Sequence, residues 1–156
     1  MPGSIRVETE YPHPPNRVWT ALSDPRAIAE WLMPNDFQPR LGHRFQFRVT
    51  PKPRGWSGVV DCEVTAVEPP RRLVYTWNND KVHTVVEWTL HPTANGTRVE
   101  LVHSGFTGVS QTILRKFMMG PGWSRMLEKV LPGVIERVTS DSSDVLGIAK
   151  AGCATT

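Results

Sequence analysis

His103 falls in a stretch, Thr97 to Gly105, where apolar and polar residues alternate, and the alternation turns it inward with Val99 and Leu101. An imidazole among apolar neighbours has three uses. It can be a core group satisfied by the Tyr75 hydroxyl or a backbone group. It can hydrogen-bond a ligand carbonyl or phenol. It can act as a general acid or base, with Tyr75 as the poised partner that such chemistry wants. The alternation of Leu73, Tyr75 and Trp77 turns Tyr75 inward as well. No carboxylate joins the pair, since Asp61, Glu63, Glu87 and Glu100 all take outward positions. His13, His43, His83 and His91 lack metal-ligand spacing and read as surface residues. Ser57 and Ser104 lack a nucleophile elbow, and no Gly-rich phosphate loop is present. Cys62 and Cys153 are two thiols far apart, neither a disulfide framework nor a zinc pattern. The expectation is a site without metal or cofactor.

A second group is aromatic. Trp31, Phe37, Phe45, Phe47, Trp56, Tyr75, Trp77, Trp88, Phe106 and Trp123 fall mostly on inward faces, and the chain has 6 Trp in 156 residues. Any one of them is most simply core. Together with Met118, Met126 and Leu127 they make a candidate ligand-cavity lining, in which Met118, Met119 and Met126 form a wall able to adapt its shape.

The elements that must position these residues are legible in the pattern. Ser4 to Glu10 alternates as a strand. Pro15 opens a helix to Ser23, and Asp24-Pro25 opens a second, short helix to about Leu32. Strands are expected at 36–40, 43–50, 57–68, the run through Leu73, Tyr75 and Trp77, 82–92 and 97–105. Asn95-Gly96 marks a tight hairpin between the last two. Centred there, the turn pairs Leu90 with Leu101, Trp88 with His103 and Val86 with Gly105. Residues 106–121 read as irregular or partly helical. A helix follows from Gly122 to about Thr139, kinked near Glu128 to Leu131 by Pro132 and Gly133. Short connections make the sheet antiparallel, and only the last helix is long enough to cover its apolar face. The space between them is a natural ligand site. The expected fold class is α+β, with six to seven strands curved around a long C-terminal helix. One domain over 1–140 is expected, with a loose tail at 141–156.

Composition fits. A 17.5 kDa chain with 39% apolar and 21% charged residues folds without staples and is not disordered. No apolar run approaches the ~20 residues of a membrane span, and the start lacks a signal peptide, so a cytoplasmic location is expected. The net charge is +3. From Arg40 to Arg54 the chain carries Arg40, Arg44, Arg48, Lys52 and Arg54 with no acid. This is a solvated strand face or a docking patch for an acidic protein. Nucleic acid ranks low because no aromatic residue shares that face.

Several segments carry a family resemblance: Pro15-Asn-Arg-Val-Trp-Thr-Ala-Leu with Asp24-Pro25 and Trp31; Gly42 with Phe45 and Phe47; Trp56-Ser-Gly-Val-Val; Val67-Glu-Pro-Pro-Arg-Arg-Leu-Val-Tyr-Thr-Trp77; Val86-Glu-Trp-Thr-Leu90 with Gly96-Thr97; His103-Ser-Gly-Phe106; and Gly122-Trp123. Over residues 4–140 the chain resembles the activator of heat-shock protein 90 ATPase homologue family, within the START-like (SRPBCC; polyketide cyclase, Bet v-like) superfamily. The resemblance implies a helix-grip fold with a hydrophobic cavity. Its functions span carriers and sensors of lipid-like or aromatic molecules, cyclase/aromatase or hydrolase enzymes, and chaperone regulators in the stress response. The eukaryotic co-chaperones resembled carry an extra N-terminal domain for which 156 residues leave no room, so an apolar small-molecule ligand ranks first. A His103/Tyr75 enzyme and an interaction module acting through Arg40, Arg44 and Arg48 follow.

Overall fold

In the computed structural model, which describes residues 3–49, 51 and 53–138, strand β1 (Gly3–Tyr11) leads into helices α1 (Pro15–Ser23) and α2 (Pro25–Trp31). Pro15 occupies the first turn of α1, where its missing N–H costs nothing. Asp24 caps α2 by accepting from the Arg26 N–H at 2.9 Å. The Trp31 indole locks the two helices together by donating to the Ala21 carbonyl at 2.9 Å.

Five strands follow: β2 (Arg44–Arg48), β3 (Val59–Glu68), β4 (Arg72–Asn78), β5 (His83–Thr93) and β6 (Gly96–Phe106). They form one six-stranded sheet in the order β1-β6-β5-β4-β3-β2, antiparallel throughout. The ladder shifts register between Val64 and Ala66, an irregularity of the kind that bends a strand. Residues 36–40 do not form the expected strand, and a single bridge, Asn35 to Phe47, stands in its place.

The alternation assigned the faces correctly, but the hairpin register differs by two residues. Val86 lies opposite His103, Trp88 opposite Leu101 and Leu90 opposite Val99. The turn is Ala94-Asn95, because Gly96 is needed elsewhere: a Cβ there would lie 2.0 Å from the Tyr11 carbonyl oxygen. Glycine lets β1 cross close to the hairpin rather than supplying the turn's backbone freedom. A shift of two keeps every side chain on its face.

The second difference is larger. The C-terminal helix starts at Gly108 rather than Gly122. It runs as α3 (Gly108–Leu114), a π-helical turn (Arg115–Met119), α4 (Gly120–Arg125), a second π-helical turn (Met126–Val130) and α5 (Leu131–Arg137). Each π turn ends two residues before a proline, with Gly120 N–H bonded to the Arg115 carbonyl and Leu131 N–H to the Met126 carbonyl. Proline has no N–H and collides with the carbonyl four residues back, so each wide turn carries the helix past its proline where a break was expected. Continuing the same pattern, the Leu127 carbonyl would need a donor from Pro132. The Tyr11 hydroxyl supplies it instead, at 2.7 Å. Tyr11→Phe is therefore expected to cost about 1–3 kcal/mol by orphaning a buried carbonyl, read as a lower denaturant midpoint at unchanged slope. At the far end the Arg17 guanidinium donates to the Ile135 carbonyl at 2.9 Å, tying α1 to the last turn of α5. The expected tail, 141–156, lies outside the described residues.

The result is the helix-grip arrangement, with the core between helix and sheet. Charge pairs such as Arg72–Glu87 and Arg98–Glu8 cover the outer sheet face.

Candidate functional site

Most of the aromatic residues proposed as a cavity lining fill the interior themselves. Rings meet edge-on from Phe37 to Phe45 (5.0 Å between centroids), from Phe45 to Tyr75 (5.4 Å) and to Phe47 (5.3 Å). The series continues through a tilted Phe47–Trp77 pair (5.3 Å) and then edge-on from Trp77 to Trp123 (5.5 Å), Trp123 to Trp88 (5.8 Å) and Trp88 to Trp31 (5.6 Å). Edge-to-face contacts of this kind contribute about 0.5–1.5 kcal/mol each beyond burial. Phe106 and Leu127 are also fully buried, and Trp56 packs half-buried against the cluster.

His103 has no exposed surface, and both ring nitrogens are engaged. The Trp123 indole N–H donates to Nδ1 at 2.9 Å. An indole can only donate, so Nδ1 must be the bare nitrogen and Nε2 carries the proton. Nε2 lies 2.7 Å from Thr84 Oγ1, and the threonine hydroxyl donates onward to the Trp77 carbonyl at 2.7 Å. The chain Trp123–His103–Thr84–Trp77 is complete for neutral imidazole. A second proton would set Nδ1–H against the indole N–H. Burial pushes the His103 pKa down to about 3. The Tyr75 hydroxyl accepts from the Trp88 indole at 3.0 Å, with no bond to His103, and burial pushes its pKa up. The two are thus partnered separately. Thr84 was the residue overlooked; its only signal was an inward place in the alternation with Val82, Val86 and Trp88.

Open space remains at one edge of this cluster. A cavity of about 190 Å³ lies between the end of α2 and the long helix, lined by Leu32, Met33, Trp77, Met118, Met119, Gly122, Trp123 and Met126. Of the residues singled out from the sequence, the structure gathers Trp77, Met118, Met119, Trp123 and Met126 here. The first π turn supplies Met118 and Met119, and the second supplies Met126. Leu32, Met33 and Gly122 were not singled out as lining. Leu32-Met33 gave a faint signal, two apolar residues between the end of a helix and Pro34. His103 does not line the cavity, since Trp77 and Trp123 stand in front of it.

The basic run looks different once β2 is paired. Arg44 faces Glu63, its ion-pair partner, across the ladder, while Gln46 faces Asp61. Arg48 bonds Gln46, which donates on to Asp61, and Arg40 reaches His43. Strand β3 supplies the acids missing from the run, so the face is a mixed polar network. Among the described residues no cluster of His, Cys, Asp or Glu could hold a metal ion, and no helix is long and apolar enough to cross a membrane.

This architecture recurs in solved structures. Protein MLL2253 from Mesorhizobium loti shares 38% identity at a TM-score of 0.77, over 88% of this chain and 99% of that one. Protein BH1534 from Bacillus halodurans shares 30% at a TM-score of 0.72, over 85% and 96%. CalU16 from Micromonospora echinospora shares 27% at a TM-score of 0.67, over 99% and 90%. No curated protein matches the chain. The model of the Activator of Hsp90 ATPase homolog 1-like proteins matches residues 12–135, and the chain belongs to that family.

Proposed function

We propose that the protein is a carrier or sensor that binds one small apolar molecule, a single aromatic ring or the end of a lipid-like chain, in the cavity beside the long helix. One observation carries the reading: 4 of the chain's 5 methionines, Met33, Met118, Met119 and Met126, line the same all-apolar space. Thioether side chains are flexible and polarizable, which suits a wall that adapts to an aromatic or aliphatic guest. The size bounds the guest. Drug-sized ligands occupy roughly 300–1,000 Å³, whereas a dry apolar cavity of about 150 Å³ takes benzene. At about 190 Å³, this space takes one ring without disturbing the aromatic core. The absence of polar side chains from the lining supports a guest with little hydrogen-bonding demand.

The test uses Gly122. A Cβ there meets nothing within 4 Å, so a side chain grows into free space. Gly122→Ala should keep the fold and stabilise the protein by about 0.5–1 kcal/mol, because glycine is a poor residue inside a helix. Gly122→Leu should fill the cavity and keep the fold. Toluene titrated against indole fluorescence should saturate at one site in the wild type, since Trp77 and Trp123 line the cavity. The response should vanish in Gly122→Leu. Saturable binding that survives in Gly122→Leu, or no binding in the wild type, would sink the proposal.

A further inference from the structure

The first part of the long helix leaves one face uncovered, with only Leu114 and Met119 leaning half-buried on the core. From Gly108 to Met119 no residue is buried, and Val109, Ile113, Phe117 and Met118 are 79%, 53%, 73% and 66% exposed. Val109, Ile113 and Phe117 recur every four residues, which places them along one helix face. Of the large hydrophobic side chains most exposed among the described residues, only Leu41 and Val85 lie elsewhere.

Cations surround this ridge. Arg115 and Lys116 lie within it, Arg125 follows on α4, and Lys81, in the turn before β5, lines a hollow with Ile113 and Met118. The chain holds no Asp or Glu from Leu101 to Leu127. The only acid the bordering turn contributes is Asp80. Arg115 donates to the Ser4 carbonyl at 3.3 Å, its Nε has no partner, and it makes no ion pair among the described residues. A second copy of the chain fits poorly, because a symmetric contact would set Arg115 and Lys116 against their own copies with no acid between them.

We propose that the helix face of Val109, Ile113, Phe117 and Met118, rimmed by Lys81, Arg115 and Lys116, docks the protein on an anionic phospholipid bilayer. A convex apolar ridge enters the boundary between headgroups and acyl chains, and flanking cations meet lipid phosphates. The inference does not require the cavity to be occupied; the two share only Met118, and Val109, Ile113 and Phe117 lie outside the cavity lining.

The test is co-sedimentation of the full chain with vesicles of phosphatidylcholine alone or mixed with phosphatidylglycerol. Binding is expected to the mixed vesicles only, with release at high salt. Phe117→Ser and Lys116→Glu should each weaken it about tenfold or more. Both side chains are exposed, so circular dichroism should stay unchanged. Arg54→Glu, in the turn between β2 and β3, should leave binding as it is. Failure to bind the mixed vesicles overturns the proposal. So does an equal loss in Arg54→Glu, which would mean that net charge alone drives adsorption. A dimer that Phe117→Ser converts to monomer, with no vesicle binding, assigns the ridge to a second copy and overturns it too.

Discussion

Removing the His103 imidazole is expected to cost about 3–5 kcal/mol of folding stability at neutral pH, near the top of the range for single substitutions. Two losses combine in His103→Ala. A fully buried ring disappears from contact with Trp77, Phe106 and Trp123, leaving a void. The Trp123 indole N–H also loses its acceptor inside the core. His103→Phe separates the two. It keeps a planar ring of similar size but gives the indole nothing to donate to, so it should cost only about 1–3 kcal/mol. In a chain of this length about 4 kcal/mol corresponds to a fall of about 10 °C in Tm, which calorimetry reads directly. Equal costs for the two variants would place all the energy in the hydrogen bond. A His103→Ala protein within about 1 kcal/mol of wild type would show that the network does not hold the core together. The expected location of the loss is informative about function, because a general base in an open site would cost turnover and little stability when removed.

The face assignments were legible because each strand has one solvated side, so Phe45, Phe47, Val60, Val64, Tyr75 and Trp77 were forced inward by the period of two. The antiparallel sense of the sheet followed from the short connections after Arg40, whereas the place of β1 beside β6 did not. What escaped was tertiary. Asn95-Gly96 is an ordinary turn signal, yet the glycine is consumed by the close pass of β1, a constraint with no local trace. The helix start was missed because Gly120-Pro121-Gly122 is a sequence of breakers, and because Val109, Ile113, Phe117 and Met118 stay exposed and follow no burial pattern. Two wide turns resolve the conflict by moving the hydrogen bonding off each proline.

For the candidate site, residue types were visible but their division of labour was not. Aromatic residues that pack each other and aromatic residues that line a hollow have the same periodicity. Trp77 and Trp123 do both, while Phe37 and Trp88 only fill. The Met118, Met119 and Met126 wall was readable as an adaptable surface, but Met33 joins it only because the end of α2 folds back across the helix. Conversely, the run from Arg40 to Arg54 read as a strand face without acids only while its partner strand was unknown. Asp61 and Glu63 supply the missing charge once β2 and β3 pair.

Acid should expose the same histidine in a second way. His103 carries a folded pKa of about 3, held down by burial, against an ordinary value of about 6.5 in the unfolded chain. Between those values the unfolded chain binds a proton that the folded chain refuses, so stability rises with pH across the window and falls as pH drops. The contribution is complete above about pH 6.5. By pH 4.5 roughly 2–3 kcal/mol should be gone, at up to ~1.4 kcal/mol per pH unit. His103→Phe cannot take up the proton. Its stability starts lower but should be nearly flat from pH 7 to 4.5, so the two curves converge in acid. The other four described histidines, His13, His43, His83 and His91, stand at exposed or half-exposed positions. Guanidinium titrations at several pH values would read both slopes. Parallel curves for wild type and His103→Phe would mean that the acid sensitivity belongs to surface carboxylates, and that the imidazole accepts a proton in place without opening the fold.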